Sequence, residues 1–318
     1  MKRIVGVGAA LVDLLVNVQD SWIQENKAVK GDMQLVDFSR IESLLSTLPA
    51  YEKVPGGSAC NTLVGYAKLG GEAAFVSKTG KDELGELFAL HLKKSNVQSL
   101  IKPANEPTGR VLSVVTPDAE RTMFSYLGAS DTLALDDFPE GVFDGAALTY
   151  IEGYRAFDAQ TFRGVLERSK AAGVPTALDF GSFGVVNVCH TLFESLFAEG
   201  LIDMIFANEE EAKTYTGKEP REALEELAKY TSLAVVKLGA EGALVSYQGT
   251  VFEIKAKKVQ ALDTTGAGDL WAAGFLFGFL SGLDIPKCGK LASEVAAEVV
   301  QVQGASIPDS VWNRLKNL

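Results

Sequence analysis

The alternation of strand-like and helix-like segments after residue 146 constrains the fold more than any other feature of this chain. Short β-rich runs predict strands at 147–152, 175–180, 204–207, 233–238 and 243–247. Apolar residues at helical spacing predict the intervening helices at 159–172, 190–198, 209–216 and 221–230. Because strands that alternate with helices usually pair in parallel, we expect a mostly parallel sheet with helices on both faces.

The segment 108–128 departs from this alternation. The runs 110–116 and 121–127 have the composition of strands, and alternation at 122–126 predicts a sheet with one buried face. We therefore expect a small second sheet beside the large one, within a single α/β domain that spans residues 1–318.

Composition narrows the classes of function. The net charge of −11 argues against nucleic acid or an anionic membrane as a partner. The three cysteines form no Cys-x-x-Cys pair, so we expect neither a disulfide framework nor a zinc site, and the reducing cytoplasm is the expected location. The longest charge-free apolar run, 270–283, is too short to span a bilayer and predicts a buried helix.

The run Asp-Thr-Thr-Gly-Ala-Gly-Asp at 263–269 follows a predicted strand at 250–261 and joins small residues to a predicted helix start. The amides of Gly266, Ala267 and Gly268 would lie at a helix N-terminus, where an anion is favoured, and glycine allows close approach of the backbone. Asp269 would repel a bound phosphate, but it could accept the proton of a hydroxyl group that attacks phosphorus. The alternative is an acidic helix cap, which would not need two glycines.

A second glycine motif lies at 55–62, where Gly56 and Gly57 predict a tight turn before a helix at 58–69. Asn61 would lie on the first turn of that helix, beside the glycine amides. Donors and acceptors together suit the hydroxyl groups of a sugar, although a plain helix start is the simpler interpretation. Asp13 interrupts an apolar run and is either a strand-edge residue or an acceptor for substrate hydroxyl groups.

Two further motifs follow predicted strands, where ligands of open α/β sheets collect. Asn208 and Glu211 would share one face of a starting helix and could hold Mg²⁺ through water. Acidic residues are also common in a first helical turn without any ligand. Lys237 could neutralise nucleotide phosphates, with Gly239 and Gly242 allowing close backbone approach, or the segment could be a plain hairpin.

The motifs at 55–62, 80–85 and 263–269 resemble the two signatures of the ribokinase family, also called PfkB carbohydrate kinases. The resemblance covers essentially the whole chain. It implies a ribokinase-like fold in which segments of about 12–38 and 106–128 form a β-sheet lid. It also implies an ATP- and Mg²⁺-dependent kinase with Asp269 as catalytic base and Gly266, Ala267 and Gly268 as the anion hole.

The same resemblance implies the remaining contacts. The substrate contacts implied are Asp13, Gly56, Gly57, Asn61 and Glu152. The nucleotide contacts implied are Asn208, Lys237, Gly239, Gly242, Thr265 and Ser293, with Glu211 and Asn208 at Mg²⁺. A monovalent cation such as K⁺ near Asp263 and Thr265 is common in the family, although the residues themselves do not reveal it.

The acceptor is the least constrained part of the prediction. The segments 30–35 and 122–130 resemble the adenosine-kinase-like branch, and Phe124 and Tyr126 could stack on a purine or belong to the core of the lid. We expect a nucleoside, with a sugar or sugar acid of the ribose, fructose or 2-keto-3-deoxygluconate type as the alternative. The exposed lid edge also suggests a homodimer.

Other classes fit less well. The sequence has no Gly-x-x-x-x-Gly-Lys-Ser/Thr motif, which excludes a P-loop kinase. Leu11 stands where a dinucleotide-binding fingerprint would need its third glycine. A non-catalytic binding protein with this fold should have lost Asp269 or its neighbouring glycines, and both are present.

Overall fold

A large sheet forms the centre of the computed structural model, which describes residues 2–31, 33–118 and 120–316. Its strands are β1 (Arg3–Val7), β5 (Glu72–Gly80), β6 (Val97–Ala104), β9 (Leu148–Glu152), β10 (Thr176–Asp179), β11 (Met204–Asn208), β12 (Leu233–Lys237), β13 (Gly242–Tyr247) and β14 (Thr250–Lys255). They lie in the order β14-β13-β12-β11-β10-β9-β1-β5-β6. The neighbouring pairs from β12 to β6 are parallel, whereas β13 is antiparallel to both of its neighbours, β12 and β14. The predicted mostly parallel sheet is confirmed.

A small second sheet is also present, as expected. Its strands are β2 (Leu11–Asn17), β3 (Met33–Leu35), β4 (Glu52–Gly56), β7 (Gly109–Val115) and β8 (Arg121–Tyr126), in the order β3-β8-β7-β2-β4. Strand β4 lies outside the two segments predicted for this sheet, because Pro55 and Gly56 give its sequence the composition of a turn. Proline is tolerated there because β4 is an edge strand. Asp32, within the segment 30–35, lies outside the described residues.

Helices cover both faces of the large sheet. Their bounds are α1 (Asp20–Glu25), α2 (Phe38–Leu45), α3 (Ser58–Leu69), α4 (Glu83–Lys94), α5 (Ala159–Ala171), α6 (Phe183–Ala198), α7 (Glu209–Thr216), α8 (Pro220–Leu227), α9 (Ala267–Leu280), α10 (Ile285–Val299) and α11 (Asp309–Leu315). One apolar core joins the sheet to α3, α4, α9 and α10, and another joins it to α5, α6, α7 and α8. Alternate strand residues, such as Ile4 and Val5, therefore point into different cores.

Two predicted boundaries were wrong. Helix α6 begins at Phe183 rather than at residue 190, because Ser182 caps it by accepting a hydrogen bond from the Val185 amide. Strand β14 ends at Lys255, whereas residues 250–261 were predicted as one strand. The remaining segment, 256–266, has no regular structure and lines a cavity together with α9 and α10.

The outer face of the small sheet is covered by α1 and α2. Trp22 of α1 packs edge-on against Phe124 of β8, with ring centroids 6.0 Å apart. Ile41 and Leu44 of α2 belong to the same buried cluster. The inner face of the small sheet is thus left to face the carboxyl ends of the large sheet. No described helix is long and apolar enough to cross a bilayer.

Candidate active site

Two adjoining cavities lie at the carboxyl ends of the parallel strands. The first, of about 480 Å³, lies beneath the inner face of the small sheet between Asp13 and Asp269, and we call it the sheet cavity. The second, of about 450 Å³, lies between the segment 256–266, α9 and α10, and we call it the helix cavity. Lys237, Gly239 and Gly268 line both cavities, so a ligand in one can meet a ligand in the other there.

The segment before α9 is held by Asp263. Its carboxylate accepts hydrogen bonds from the amide and hydroxyl of Thr265, at 2.9 and 2.7 Å, and from the amide of Gly304 at 2.8 Å. Burial alone would raise the pKa of Asp263, but these hydrogen bonds lower it below its usual value. Asp263 thus acts as an ionised anchor for the loop.

Gly266 begins α9 in a left-handed conformation, with a φ of 72°. Gly268 follows at the boundary of the two cavities, where an added Cβ would lie 3.1 Å from the Lys237 Nζ. The Ala267 amide donates to the Thr264 carbonyl at 3.2 Å, so it is already engaged in this structure. The positive charge at this point therefore comes from the start of α9 together with Lys237.

Asp269 is half-buried in the floor of the sheet cavity. One carboxylate oxygen accepts from the Ser58 hydroxyl at 2.8 Å and the other from the Asn61 side-chain amide at 3.0 Å. Burial raises the pKa of Asp269, and the hydrogen bond from Asn61 opposes that rise. Asn61 was predicted as a sugar contact, but its amide group orients the carboxylate in this structure.

Lys237 ends β12 and donates to the Asp179 carboxylate at 3.0 Å. Burial alone would lower the pKa of Lys237, but the charges of Asp179 and Glu211 outweigh it and raise the pKa. The Tyr150 hydroxyl donates to the same Asp179 oxygen at 3.1 Å. Sequence reasoning missed Asp179, and its position at the end of a predicted strand was the signal that could have found it.

Asn208 and Glu211 cap α7 by bonding to each other. The backbone amide of Asn208 donates to the Glu211 carboxylate at 2.8 Å, and the side-chain nitrogen of Asn208 donates to it at 2.9 Å. The backbone amide of Glu211 donates to the side-chain oxygen of Asn208 at 2.8 Å. The simpler interpretation, a helix cap, is therefore realised. Both residues nevertheless line the sheet cavity, where burial, supported by the charge of Asp179, raises the pKa of Glu211 to about 7.

These oxygen-bearing side chains fit a magnesium ion only as partial ligands. Among the described residues, no group of three or more His, Cys, Asp or Glu side chains could hold a metal ion. Mg²⁺ commonly takes one or two carboxylates and completes its octahedron with water and phosphate oxygens. Glu211, Asn208 and Asp179 are compatible with such a site.

The small sheet presents alternate residues of β8 and its flank to the sheet cavity. The residues that line it are Arg121, Met123, Ser125 and Leu127. Phe124 is fully buried in the opposite face and Tyr126 packs on Phe38 with centroids 5.4 Å apart. The prediction that Phe124 or Tyr126 stacks on a purine was therefore wrong, since side chains alternate along a strand. The aromatic side chain that does line the cavity is Tyr154.

Arg121 joins the small sheet to the loop before α9. One guanidinium nitrogen donates to the Thr265 hydroxyl, and another donates to the Ser113 hydroxyl at 2.8 Å. Its Nε is buried and has no partner among the described residues. The charge of Arg121 opposes the effect of burial on Asp13, whose pKa is raised to about 6. Sequence reasoning missed Arg121, although a basic residue in an alternating strand was visible.

The glycines at 56 and 57 are explained by close approaches. An added Cβ at Gly56 would lie 2.6 Å from the Asp13 carboxylate, and one at Gly57 would lie 2.4 Å from the Ala9 carbonyl. Glu152, another predicted substrate contact, lines the cavity but accepts hydrogen bonds from the amides of Ala9 and Ala59. Its carboxylate is thus committed to the backbone.

The helix cavity is bordered by left-handed glycines and by two buried polar atoms without partners in the part of the chain that the structure describes. Gly242 has a φ of 116°, and an added Cβ there would lie 1.9 Å from the Ile254 carbonyl. Gly239 is also left-handed, with a φ of 54°. Among the described residues, Trp271 Nε1 and Ser293 Oγ are buried without a hydrogen-bond partner, and both side chains line this cavity. Buried polar atoms are normally paired, so these two are consistent with a nucleotide base.

The fold and the two cavities together define a phosphotransferase of the ribokinase-like class, which acts on hydroxyl groups. The chain belongs to the pfkB family of carbohydrate kinases, whose model matches residues 26–312.

Known relatives have different acceptors. An adenosine kinase structure from Sinorhizobium meliloti is 36% identical with a TM-score of 0.91 and covers 99% of each chain. A Rhizobium etli structure, described as a probable sugar kinase, is 31% identical with a TM-score of 0.92 and covers 99% of this chain and 98% of its own. An Arabidopsis thaliana ribokinase is 30% identical over 288 residues, which cover 83% of this chain and 73% of the relative.

Proposed function

We propose that this protein transfers the γ-phosphoryl group of ATP to a primary hydroxyl group of a nucleoside, with Asp269 as the catalytic base. The observation that carries the proposal is the position of Asp269. Its carboxylate is oriented by Ser58 and Asn61 in the floor of the sheet cavity, next in sequence to Gly268, which lines both cavities. A base at this position can reach a hydroxyl group on one side while the phosphoryl donor approaches from the other.

The transfer step follows from this arrangement. Asp269 takes the hydroxyl proton, a new O–P bond forms at the γ-phosphorus, and the bond to the β-phosphate oxygen breaks to release ADP. Lys237 and the start of α9 stabilise charge on the transferring group from below. Arg121 supplies a second positive charge from the small sheet. Mg²⁺, held through Glu211 and Asn208 directly or by water, would add positive charge beside the ATP phosphates.

A nucleoside is favoured over a free sugar by the lining of the sheet cavity. Apolar side chains of the small sheet dominate its roof: Leu11, Met33, Leu35, Val111, Met123 and Leu127. Tyr154 adds an aromatic ring at the side. An apolar roof that covers a free sugar would bury hydroxyl groups without partners, whereas a planar base would fill the same space favourably. Asp13 is then the acceptor for the ribose hydroxyl groups.

An acceptor panel tests the proposal. We would measure ADP release with Mg-ATP and adenosine, inosine, guanosine, ribose, fructose, fructose 6-phosphate or 2-keto-3-deoxygluconate, with Asp269→Asn as the control. Selective turnover of a nucleoside is the expected result. Turnover of a sugar or sugar acid alone would contradict the nucleoside assignment, and the absence of turnover with every acceptor would favour a non-catalytic binding protein.

Other sequence-based expectations remain proposals. These are a cytoplasmic location, a K⁺ ion near Asp263 and Thr265, and the absence of nucleic acid or membrane partners.

A further inference from the structure

Within the described residues, the chain passes between the large and the small sheet four times. The crossings are at 8–10, between β1 and β2; at Gly57, between β4 and α3; at 105–108, between β6 and β7; and at 127–128, after β8. The position of the small sheet over the sheet cavity is therefore set by these four short segments. Whatever fixes them also fixes the distance between Asp13 or Arg121 and Asp269.

The crossings contact each other in two pairs. In the first pair, an added Cβ at Gly57 would lie 2.4 Å from the Ala9 carbonyl. In the second pair, an added Cβ at Gly128 would lie 2.3 Å from the Pro107 carbonyl, which also accepts from the Ala129 amide at 2.8 Å. In each pair the two backbones thus lie too close together for a side chain at the glycine position.

A buried carboxylate, that of Glu152, holds the first pair of crossings by hydrogen bonds. Glu152 is 1% exposed, and its two oxygens accept from the Ala9 amide at 2.7 Å and the Ala59 amide at 2.9 Å. Ala9 belongs to one crossing, and Ala59 is in the first turn of α3, directly after the other. Gly57, the cap residue of α3, has no side chain to satisfy that turn, so Glu152 does so from a distant strand.

A second carboxylate has the same arrangement at the second pair. Asp82 accepts from the Thr108 amide at 2.8 Å and from the Thr108 hydroxyl at 2.6 Å. It also caps α4 by accepting from the Gly85 amide at 2.9 Å. One acidic side chain again joins a crossing to the start of a helix on the large sheet.

We propose that Glu152 and Asp82 are positioning residues that fix the small sheet over the acceptor, each by holding one pair of crossings. Glu152 has a second effect, because α3 carries the Ser58 and Asn61 groups that orient Asp269. A change at Asp82 should therefore disturb only the placement of the acceptor. A change at Glu152 should disturb the placement of both the acceptor and the base. The catalytic part of this inference rests on the proposed kinase function, whereas the hydrogen bonds to the crossings do not.

The first test is Glu152→Gln, which keeps the shape but turns an N–H donor toward one of the two amides. Hydrogen exchange of the substrate-free protein should be about tenfold faster at Ala9, Ala59 or both, because an acceptor has been lost. We expect kcat to fall roughly ten- to hundredfold and the acceptor KM to rise, since small displacements of reacting groups are costly. The KM for ATP should stay near that of the wild type.

Asp82→Asn is the matched variant and covers the case in which Glu152→Gln fails to fold. It should accelerate exchange at Thr108 and raise the acceptor KM while leaving kcat within about threefold, because Asp82 does not touch the helix that orients the base. Asp158→Asn is the control. Asp158 caps α5 in the same way, by accepting from the Thr161 amide at 3.1 Å, but lies at none of the crossings.

Two outcomes would overturn the proposal. If Glu152→Gln raised the acceptor KM without changing exchange at Ala9 and Ala59, Glu152 would be a direct substrate contact. If both variants lowered the melting temperature but left kcat and KM unchanged, the two residues would serve stability alone. Exchange is measured without substrate, so its result stands even if the acceptor panel shows no kinase activity.

Discussion

At the scale of single residues, the sharpest prediction concerns the guanidinium group of Arg121. Its guanidinium contacts Thr265 and Ser113 and keeps one buried nitrogen without a partner among the described residues. Arg121→Met should lower kcat by about 10²-fold, because a positive charge that lines the sheet cavity is lost. Steady-state kinetics with varied ATP would measure it. Ser113→Ala, which removes one anchor of the guanidinium, should have a much smaller effect; equal effects would argue against a role in charge stabilisation.

The candidate site residues that sequence reasoning found are those carried by local motifs. Asp269 and Lys237 stand at the ends of recognisable segments. In the structure Lys237 lines both cavities and Asp269 lines the sheet cavity. Ser58, Asp179 and Arg121 were missed because their importance depends on partners far away in the chain. A hydrogen bond between residues 58 and 269 leaves no trace in the spacing of either segment.

At the scale of an element, neighbouring residues of β8 have different roles because their side chains point to opposite faces of the small sheet. Met123 lines the sheet cavity, and its neighbour Phe124 lies in the core beneath α1 and α2. Met123→Ala should raise the acceptor KM with little change in stability. Phe124→Ala should cost about 3–5 kcal/mol of unfolding free energy, as is usual for a buried phenylalanine.

Acceptor titrations and urea unfolding of this matched pair would separate the two effects. We expect a change in acceptor KM for Met123→Ala and a change in stability for Phe124→Ala. A large loss of stability in Met123→Ala, with an unchanged acceptor KM, would mean that Met123 packs in the core and does not line the cavity.

The large sheet was predictable because helix and strand periods alternate so regularly after residue 146. Strand β4 was missed because Pro55 and Gly56 are turn-forming residues, and only the small-sheet neighbour β2 makes this segment a strand. The predicted stacking of Phe124 failed for a different reason. Alternation shows that two faces exist, but tertiary packing decides which face meets the helices and which meets the ligand.

At the scale of the whole molecule, several buried carboxyl groups should make stability depend on pH in an unusual direction. Burial raises the pKa of Glu152 and of Glu211 to about 7. A carboxyl group with a raised pKa stabilises the folded state fully below its unfolded pKa and loses that contribution as pH rises through 7. His91, whose pKa is lowered by burial, works in the opposite direction.

The pKa of Asp13 is also raised, to about 6, and burial raises the pKa of Asp269. The melting temperature should therefore rise as pH falls from 8 to about 5.5, since these four carboxyl groups outweigh one histidine. Acidic groups with lowered pKa values, such as Asp82 and Asp263, should reverse the trend only at lower pH. Thermal unfolding across this range would measure the effect, and Glu152→Gln should flatten it. A wild-type melting temperature that falls steadily from pH 8 to 5.5 would contradict the assignment.

The predicted dimer through the edge of the small sheet is not favoured by the structure. The outer face is already covered by α1 and α2, and edge strand β4 carries Lys53 and Pro55, which protect an edge from pairing. The other edge strand, β3, has only three residues. We expect a monomer of 33.9 kDa by light scattering at high concentration. A stable dimer that is lost when an edge residue of β4 is changed would show that the original prediction was correct.

The most direct test of the proposed function compares phosphoryl transfer by Asp269→Asn with the affinity of this variant for ATP. We expect kcat to fall by about 10²–10⁴-fold, as is usual for loss of a general base, while ATP binds nearly as tightly as to the wild type. The helix cavity is built mainly from other residues, so nucleotide binding should survive the change. A variant that turned over at a near-normal rate would contradict the assignment of Asp269 as the base.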